Sequence, residues 1–215
     1  MAHCVGKVLG SMGYSTYAYH PHTYTYYERD KTHPNMGYTY KGRGNGLEVD
    51  GYWPESDLQM IQASIDDYID DEHFHAYYMT VSGHMDYTFH DNYQSYVHYD
   101  EVADLDCDEQ MQAYIACNIE LDRALEYLIQ RLEEKGIADK TLIAFGPDHY
   151  PYAMEDLRTG MIGDEATKWY GLYESTGVIW SASMTSPVKV DKVCSTIDLA
   201  PTICNLLGLQ YDARL

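Results

Sequence analysis

Residues 14–20 of the chain read YSTYAYH, a run dominated by tyrosine and threonine. Both residue types favour extended backbone, and Pro21 stands where such a strand would end. We therefore predict a β-strand over Tyr14–His20. Three more short strands are predicted from β-favouring or apolar runs, at Ala76–Ser82, Thr141–Gly146 and Gly177–Ser181. The third of the four strands, TLIAFG, is almost wholly apolar, which is typical of a strand in the centre of a sheet.

Helices are predicted between these strands. Over Ser56–Asp71 apolar residues recur every three or four positions, and Gln59 follows the first residue at the spacing of a capping box. The longest predicted helix is Asp106–Lys135, and a last helix begins near Asp198 and ends at Gly208. Strands separated by helices predict an α/β fold with a mostly parallel sheet sandwiched by helices.

Polar side chains follow three of the predicted strands. His20 ends the first strand, His84 follows the second, and Asp148 and His149 follow the third. Ligands of parallel α/β sheets bind beyond the carboxyl ends of the strands, so we expect these groups at one edge of the sheet. Arg29 comes soon after the first strand, and its planar guanidinium suits a tetrahedral oxyanion. This edge is the predicted functional site.

The chemistry of these residues is consistent with anion binding beside a metal ion. Asp148 and His149 offer an oxygen and a nitrogen ligand suited to Zn²⁺ or Mn²⁺, although they could instead be a turn-capping carboxylate and a surface histidine. His84 could donate to a phosphate or sulfate oxygen or protonate a leaving group. His20 and His84 could equally be structural, and Arg29 could be a solvated ion-pair partner.

Composition narrows the possible partners. The 215 residues include 14 Lys+Arg and 34 Asp+Glu, a formal net charge of −20, so the chain has no basic surface for nucleic acid or anionic membranes. No apolar run approaches the roughly 18–20 residues of a membrane span, and no signal peptide is evident. The five cysteines include no CxxC pair, which argues against a structural zinc site. Lys41–Gly46 (KGRGNG) is predicted to be a loop because of its glycines.

Four stretches in order resemble a known family. They are AYHPHTYTYYERDKTHPNMGY (18–38), YYMTVSGHMDYTF (77–89), GPDHYPY (146–152) and STIDLAPTICNLLGL (195–209). Together they resemble the sulfatase-like branch of the alkaline phosphatase superfamily. Within it they are most similar to the extracellular catalytic domain of lipoteichoic acid synthases and related phosphoglycerol transferases of Gram-positive bacteria. The resemblance covers nearly all of residues 1–215 but only the later part of that catalytic domain.

The resemblance implies roles for individual residues in substrate binding. His84 matches the histidine of the family's substrate pocket, which contacts the substrate or leaving group. His20 and Arg29 match a histidine and an arginine that hold the phosphate or glycerol end of the substrate. Tyr27 falls where some members carry tryptophan, so the aromatic wall of the pocket is kept with a different ring.

The resemblance also implies a metal centre. Asp148 and His149 match the family's metal pair, which implies one divalent ion, Mn²⁺ first, with Mg²⁺ or Zn²⁺ as alternatives. In the family a metal-bound threonine attacks a phosphatidylglycerol-like lipid, and an acceptor hydroxyl or water resolves the phosphoglycerol-threonine. That threonine and the first metal carboxylate precede the matching stretches. We therefore expect a partial domain, incomplete at both ends and inactive alone. The parent enzyme would act on the extracytoplasmic face of the cell membrane.

Two other functions are open at this point. One is hydrolysis of soluble sulfate or phosphate esters by the same superfamily chemistry. The other is a non-catalytic glycan- or polymer-binding module in which the segment YSTYAYHPHTYTYY (14–27) acts as a stacking platform. The chain has 23 tyrosines and 3 phenylalanines. Because tyrosine also packs in α/β cores, this enrichment does not distinguish a stacking platform from ordinary core packing. Nothing in the sequence predicts the oligomeric state.

Overall fold

A computed structural model of the chain describes residues 4–154 and 173–209. It divides the chain into two units, Met1–Arg131 and Leu132–Leu215. The first unit contains a four-stranded parallel sheet and the second a two-stranded antiparallel sheet. The predicted α/β class with a mainly parallel sheet is confirmed.

The sheet of the first unit has β1 near its centre. Its strands are β1 Ser15–Thr23, β2 Thr39–Arg43, β3 Gly46–Leu47 and β4 Phe74–Tyr78. The order is β3-β2-β1-β4, and Tyr17 of β1 is in register with Thr39 on one side and Ala76 on the other. Ala18 and Tyr19 are completely buried, so the segment YSTYAYH supplies part of the core.

The first strand is longer than predicted. β1 continues from His20 through Pro21 to Thr23, and its register with β2 shifts between the first and the last of these residues. Proline has no N–H to give to the ladder, so an irregularity at this point lets the strand continue past it. His20 therefore lies inside β1 rather than at its end.

The prediction of a loop over Lys41–Gly46 is wrong. The first half of this segment belongs to β2, and β3 begins at its last residue. Gly44 and Gly46 have positive φ angles, which make the tight connection between the two strands. The glycines thus correctly predict the turn between the two strands. The glycine-rich composition of the segment did not indicate β2, the strand that pairs with β1.

The described part of the chain contains seven α-helices. They are α1 Val5–Ser11, α2 Arg29–Asn35, α3 Asp57–Ser64, α4 Tyr93–Val97, α5 Tyr99–Val102, α6 Glu109–Lys135 and α7 Leu199–Leu206. The three helices that the sequence predicts correspond to α3, α6 and α7. The predicted capping box of α3 is half present, since Ser56 Oγ accepts from Gln59 N whereas the side chain of Gln59 bonds Asp50. Among the described helices none combines the length and hydropathy that crossing a bilayer requires.

The second unit contains the strand that the sequence places in the centre of the sheet. β5 (Ile143–Phe145) pairs antiparallel with β6 (Val178–Trp180), and within the described ranges β5 has no other partner strand. Phe145 is 39% exposed. The prediction of a central strand shared with β1 is therefore wrong for the described residues. An apolar run indicates that a strand is buried, but it does not indicate which strands or helices bury it.

Candidate functional site

The position of His20 in β1 leaves one of its ring nitrogens unused. The side chain is 4% exposed, and Nδ1 lies 2.9 Å from the carbonyl oxygen of Met79. A carbonyl only accepts, so Nδ1–H donates to it and Nε2 carries the lone pair. Nε2 is buried with no partner among the described residues. Burial lowers the pKa of His20 to about 4, with the charge of Arg29 acting in the same direction, so the neutral ring is an acceptor at pH 7.

Arg29 presents a complementary unsatisfied donor. It is the first residue of α2, and its guanidinium carbon lies 5.5 Å from the ring centroids of both Tyr26 and Tyr27. Its Nη1 is buried without a partner in the described part of the chain. Leaving a charged N–H unpaired in a buried position is costly, and an anionic oxygen at this point would satisfy it.

Strained backbone places Arg29 beside these rings. Tyr27 and Glu28 have φ angles of 51° and 54°, two consecutive non-glycine residues in the left-handed region. Each costs about 1–2 kcal/mol, and such strain persists only where the surrounding structure imposes it. Tyr27 itself is 74% exposed, so its ring forms an open wall over the guanidinium, at the position where the sequence predicts an aromatic side of the pocket.

A third unpartnered atom belongs to the same neighbourhood. The hydroxyl of Tyr40 is buried with no partner among the described residues, and burial raises the pKa of Tyr40 to about 12. The Tyr40 ring stacks on His33 at 5.1 Å between centroids, and burial lowers the pKa of His33. The charge of Arg29 contributes to the pKa of His20, His33 and Tyr40, so this one cation lies close to all three groups.

His84 is held by a loop that follows β4. Its backbone N–H donates to Val81 O at 2.9 Å, and its Nδ1 lies 3.1 Å from Met85 O, so Nδ1–H donates here as well. The buried carboxylate of Asp57 accepts from the backbone N–H groups of Val81 and Ser82, which ends β4 earlier than predicted and fixes the loop. Burial raises the pKa of Asp57 to about 6, although these hydrogen bonds oppose the rise.

Asp148 and His149 lie in the second unit, on the exposed segment that follows β5. Nδ1 of His149 is 2.8 Å from Tyr150 O and therefore donates, which leaves Nε2 with its lone pair, 3.6 Å from Asp148 Oδ2. An oxygen and a nitrogen with free lone pairs are thus side by side, and these two side chains could act as two ligands of a divalent ion. The described residues contain no cluster of three or more candidate ligands.

Comparison with known proteins identifies the family. A family profile described as Sulfatase matches residues 2–209, nearly the whole chain. The chain belongs to the sulfatase family. Its assignment to the sulfatase-like branch of the alkaline phosphatase superfamily is thereby confirmed. A sequence comparison with curated proteins finds no significant match.

Solved structures share the fold of this sulfatase-family chain. The lipoteichoic acid synthase LtaP from Listeria monocytogenes is 22% identical with a TM-score of 0.73, and the alignment covers 95% of this chain and 52% of that one. An alkaline phosphatase superfamily protein from Vibrio parahaemolyticus is 15% identical with a TM-score of 0.66, covering 95% and 47%. The Streptococcus pyogenes phosphoglycerol transferase GacH, solved with sn-glycerol-1-phosphate, is 15% identical with a TM-score of 0.54, covering 79% and 44%. The chain thus spans about half the length of these structures.

The sulfatase-family chain brings the predicted substrate residues of its first unit together through aromatic rings. His20 and His22 are 6.2 Å apart between ring centroids, His22 and Trp53 are 5.4 Å apart, and Trp53 and His84 are 5.1 Å apart. Arg29 joins the group through its electrostatic effect on His20. Histidine and arginine from separate segments of the sequence are thus connected by neighbouring side chains in the first unit.

Sequence analysis missed three members of this site: His22, Trp53 and Glu55. His22 lies two residues beyond the end of the predicted strand Tyr14–His20, and only the observed extension of β1 to Thr23 places it on the same strand as His20. Trp53 and Glu55 likewise have no signal in the sequence, because they reach the site only through tertiary folding.

Proposed function

We propose that the chain is the substrate-binding part of a metal-dependent enzyme that acts on a phosphodiester with a glycerol-phosphate end, as in a phosphatidylglycerol-like lipid. The observation that carries this proposal is the pair of unsatisfied buried atoms, Arg29 Nη1 and His20 Nε2. The first is a charged donor and suits a phosphate oxygen, whereas the second is a neutral acceptor and suits a hydroxyl group. A glycerol phosphate offers both groups within one small molecule.

The remaining predicted residues have roles in this proposal. His84 contacts the substrate or the leaving group, and Tyr27 provides the open aromatic wall over Arg29. Asp148 and His149 would hold a divalent ion, with Mn²⁺ as first choice. A divalent ion bound there would supply positive charge that can stabilise a phosphate. Because two ligands hold an ion weakly, we propose that residues 1–215 alone are inactive.

The proposal includes a place of action for the whole protein. The similar structures include a lipoteichoic acid synthase and a phosphoglycerol transferase, by their printed descriptions. Lipoteichoic acid is a polymer of the cell envelope, so we propose that the whole enzyme acts in envelope polymer synthesis, at the extracytoplasmic face of the membrane.

Binding of sn-glycerol 1-phosphate to the 215-residue chain, followed by NMR, tests the substrate assignment. We expect Arg29→Gln to weaken binding by about tenfold or more, because a hydrogen bond to a charged group is lost. Arg131→Gln is the matched control, since Arg131 lies in the same unit and pairs with Asp66. Equal binding by the wild type and Arg29→Gln, or equal losses in both variants, would contradict the proposal.

Titration with Mn²⁺ tests the metal assignment. The ion is paramagnetic, so its binding broadens the resonances of nearby residues. We expect broadening first at Asp148 and His149, and we expect His149→Ala to abolish it there. A matched control is His90→Ala, which removes another exposed histidine. Broadening at the Asp148–His149 pair that persists in His149→Ala contradicts the ligand role of His149.

Ester hydrolysis is a second candidate because the matched family is the sulfatase family itself. The same arginine and the same metal pair would bind a sulfate ester. Turnover of a nitrophenyl sulfate by the complete protein, with no cleavage of phosphatidylglycerol, would favour this candidate.

A further inference from the structure

Glu55 is a buried acid whose position needs an explanation. Its side chain is 1% exposed in a chain of net charge −20, where an additional buried anion is unfavourable. Oε1 lies 2.6 Å from Nδ1 of His22 and 3.2 Å from Nη2 of Arg43. Oε2 is buried with no partner among the described residues. Gly51 makes room for this arrangement, because a Cβ atom at that residue would collide with the Arg43 guanidinium.

The carboxylate of Glu55 fixes the orientation and the tautomer of His22. A carboxylate oxygen accepts, so Nδ1–H of His22 donates to it, and the lone pair of the neutral ring is then on Nε2. The edges of Tyr26 and Trp53 contact the same ring, at 4.8 Å and 5.4 Å between centroids. The ring is therefore held from three sides.

The other nitrogen of His22 faces outward and is available. The side chain is 23% exposed, and Nε2 has no hydrogen bond to a described residue. It also differs from Nε2 of His20, which is fully buried and unpartnered. The two rings are 6.2 Å apart between centroids, and each has its Nδ1 committed to an acceptor on the protein. Two neighbouring imidazoles thus offer lone pairs and no donors while neutral.

We infer that His22, positioned by Glu55, determines specificity by accepting a hydrogen bond from a hydroxyl of the substrate, an inference that rests on the function proposed above. Together with His20 it would accept the two adjacent hydroxyls of a glycerol end. Such a site discriminates against a ligand without hydroxyls, because the buried Nε2 of His20 then stays unpaired and Nε2 of His22 gains no hydrogen bond from the ligand. Glu55 is a positioning residue in this scheme and does not touch the substrate.

The test compares two phosphates that differ only in their hydroxyls. Binding of sn-glycerol 1-phosphate and of propyl phosphate to the 215-residue chain is measured by NMR titration, with a chelator present to remove metal ions. The glycerol compound gains two neutral hydrogen bonds that propyl phosphate cannot make, so we expect it to bind about tenfold more tightly. In His22→Phe we expect the preference to fall to about threefold, because one of the two hydroxyl acceptors is lost.

Two variants of Glu55 separate positioning from packing. Glu55→Gln keeps an oxygen that can accept from Nδ1–H and is expected to retain the preference, whereas Glu55→Leu has no acceptor and is expected to lose part of it. Ring ¹⁵N shifts of His22 report the tautomer directly. We expect a protonated Nδ1 in the wild type and in Glu55→Gln, and a mixture of tautomers in Glu55→Leu.

The outcomes distinguish this inference from the function on which it rests. Equal binding of the two phosphates, or an unchanged preference in His22→Phe, overturns the inference but leaves an Arg29-dependent phosphate site intact. Failure of the wild type to bind either phosphate overturns the proposed function and the inference with it. If His22→Phe does not fold, the variants Glu55→Gln and Glu55→Leu provide the test. If these two variants have the same preference for the glycerol compound and the same His22 tautomer, the positioning role of Glu55 is overturned.

Discussion

Two buried histidines of the first unit, His20 and His98, have opposite states. Their exposures are 4% and 6%. His98 has a carboxylate at each nitrogen, Glu101 at 2.6 Å from Nδ1 and Glu120 at 2.8 Å from Nε2. Both nitrogens must donate, so His98 is an imidazolium, and the hydrogen bond to Glu120 is the main cause of its raised pKa. His20 bonds one carbonyl, and burial keeps it neutral.

The environment of His98 is a closed network. Glu120 also accepts from Ser56 Oγ, and Ser56 caps the N-terminus of α3. Burial acts to raise the pKa of Glu120, but the hydrogen bonds from His98 and Ser56 bring it below its ordinary value. Glu101 in turn pairs with Arg123 of α6. The network ties α3, α5 and α6 together and leaves no atom of His98 for a ligand.

The comparison separates a structural histidine from a binding histidine by the completeness of its hydrogen bonds. Buried polar groups in folded proteins are almost always satisfied, so an unsatisfied group needs a specific explanation. In the first unit the unsatisfied buried side-chain atoms found among the described residues belong to His20, Arg29, Tyr40 and Glu55. All four residues lie in or beside the candidate site, and a ligand would complete the hydrogen bonds of His20 and Arg29.

Removing His98 is expected to have the largest effect on stability. His98→Leu leaves the buried carboxylate of Glu120 without its cation, which costs about 3–5 kcal/mol of the free energy of unfolding. His20→Leu removes a group with one unsatisfied nitrogen and is expected to cost much less. Urea unfolding of the two variants at neutral pH measures both. Equal losses would break the distinction between the two histidines.

The pH dependence of the free energy of unfolding tests whether His98 is charged in the folded protein. The raised pKa of His98 makes its stabilisation fully present below pH 6.5 and lost as the pH rises through the folded-state value. The difference between the wild type and His98→Leu is therefore expected to narrow in alkaline solution. A difference that widens as the pH rises contradicts a charged His98.

The stability that depends on His20 is expected to be lost as the pH falls, whereas the stability that depends on His98 is lost as the pH rises. The pKa of His20 is about 4 in the folded protein against 6.5 for the free side chain, so the unfolded chain binds the proton first as the pH falls. Stability is therefore lost between about pH 6.5 and pH 4, by up to about 3 kcal/mol from this residue. His75, with a pKa also lowered to about 4 by burial, adds to the loss in the wild type.

The variant His20→Phe isolates the contribution of His20, since it keeps a buried ring without a titrating group. We expect its free energy of unfolding to fall less than that of the wild type between pH 7 and pH 4, as measured by urea unfolding at each pH. Parallel curves for the two proteins would show that His20 is not held in its neutral form by the fold.

The smallest expected effect distinguishes two buried tyrosine hydroxyls. The hydroxyl of Tyr78 bonds both Ser64 and Tyr68, whereas that of Tyr40 has no partner in the described part of the chain. Tyr78→Phe is expected to cost about 1 kcal/mol of stability, and Tyr40→Phe to be neutral or slightly stabilising. Thermal unfolding measures both. A larger loss in Tyr40→Phe would show that its hydroxyl is satisfied in solution without a ligand.

The tyrosine-rich segment illustrates how one composition serves two purposes. Tyr19 is fully buried and its hydroxyl donates to Asp67 at 3.0 Å, which is the packing role that the sequence allows. Tyr26 and Tyr27 are 40% and 74% exposed and lie against Arg29, so their rings remain accessible to a ligand. Buried and accessible tyrosines thus both occur within residues 14–27, and composition alone could not tell which is which.

Much of the fold followed from local pattern. The periodicity of apolar residues and the capping residues predicted α3, α6 and α7, and β-favouring side chains predicted β1 and β4, because these signals lie within a few residues of each other. The order of strands and polar residues also indicated His20, Arg29 and His84 as site residues. The strand within Lys41–Gly46 was not predicted, because pairing with β1 stabilises it and its own composition is not typical of a strand.

The sequence by itself determined the family to which the chain belongs, and it indicated His20, Arg29 and His84 as candidate site residues. Only the tertiary structure determined the protonation states and tautomers of the histidines. His22 and Glu55 are 33 positions apart, and only folding places a buried carboxylate on one nitrogen of that ring. His20 and His98 are the same residue type, yet one is neutral and the other charged. Protonation depends on desolvation and on the groups packed within a few ångströms, and those neighbours come from distant parts of the chain.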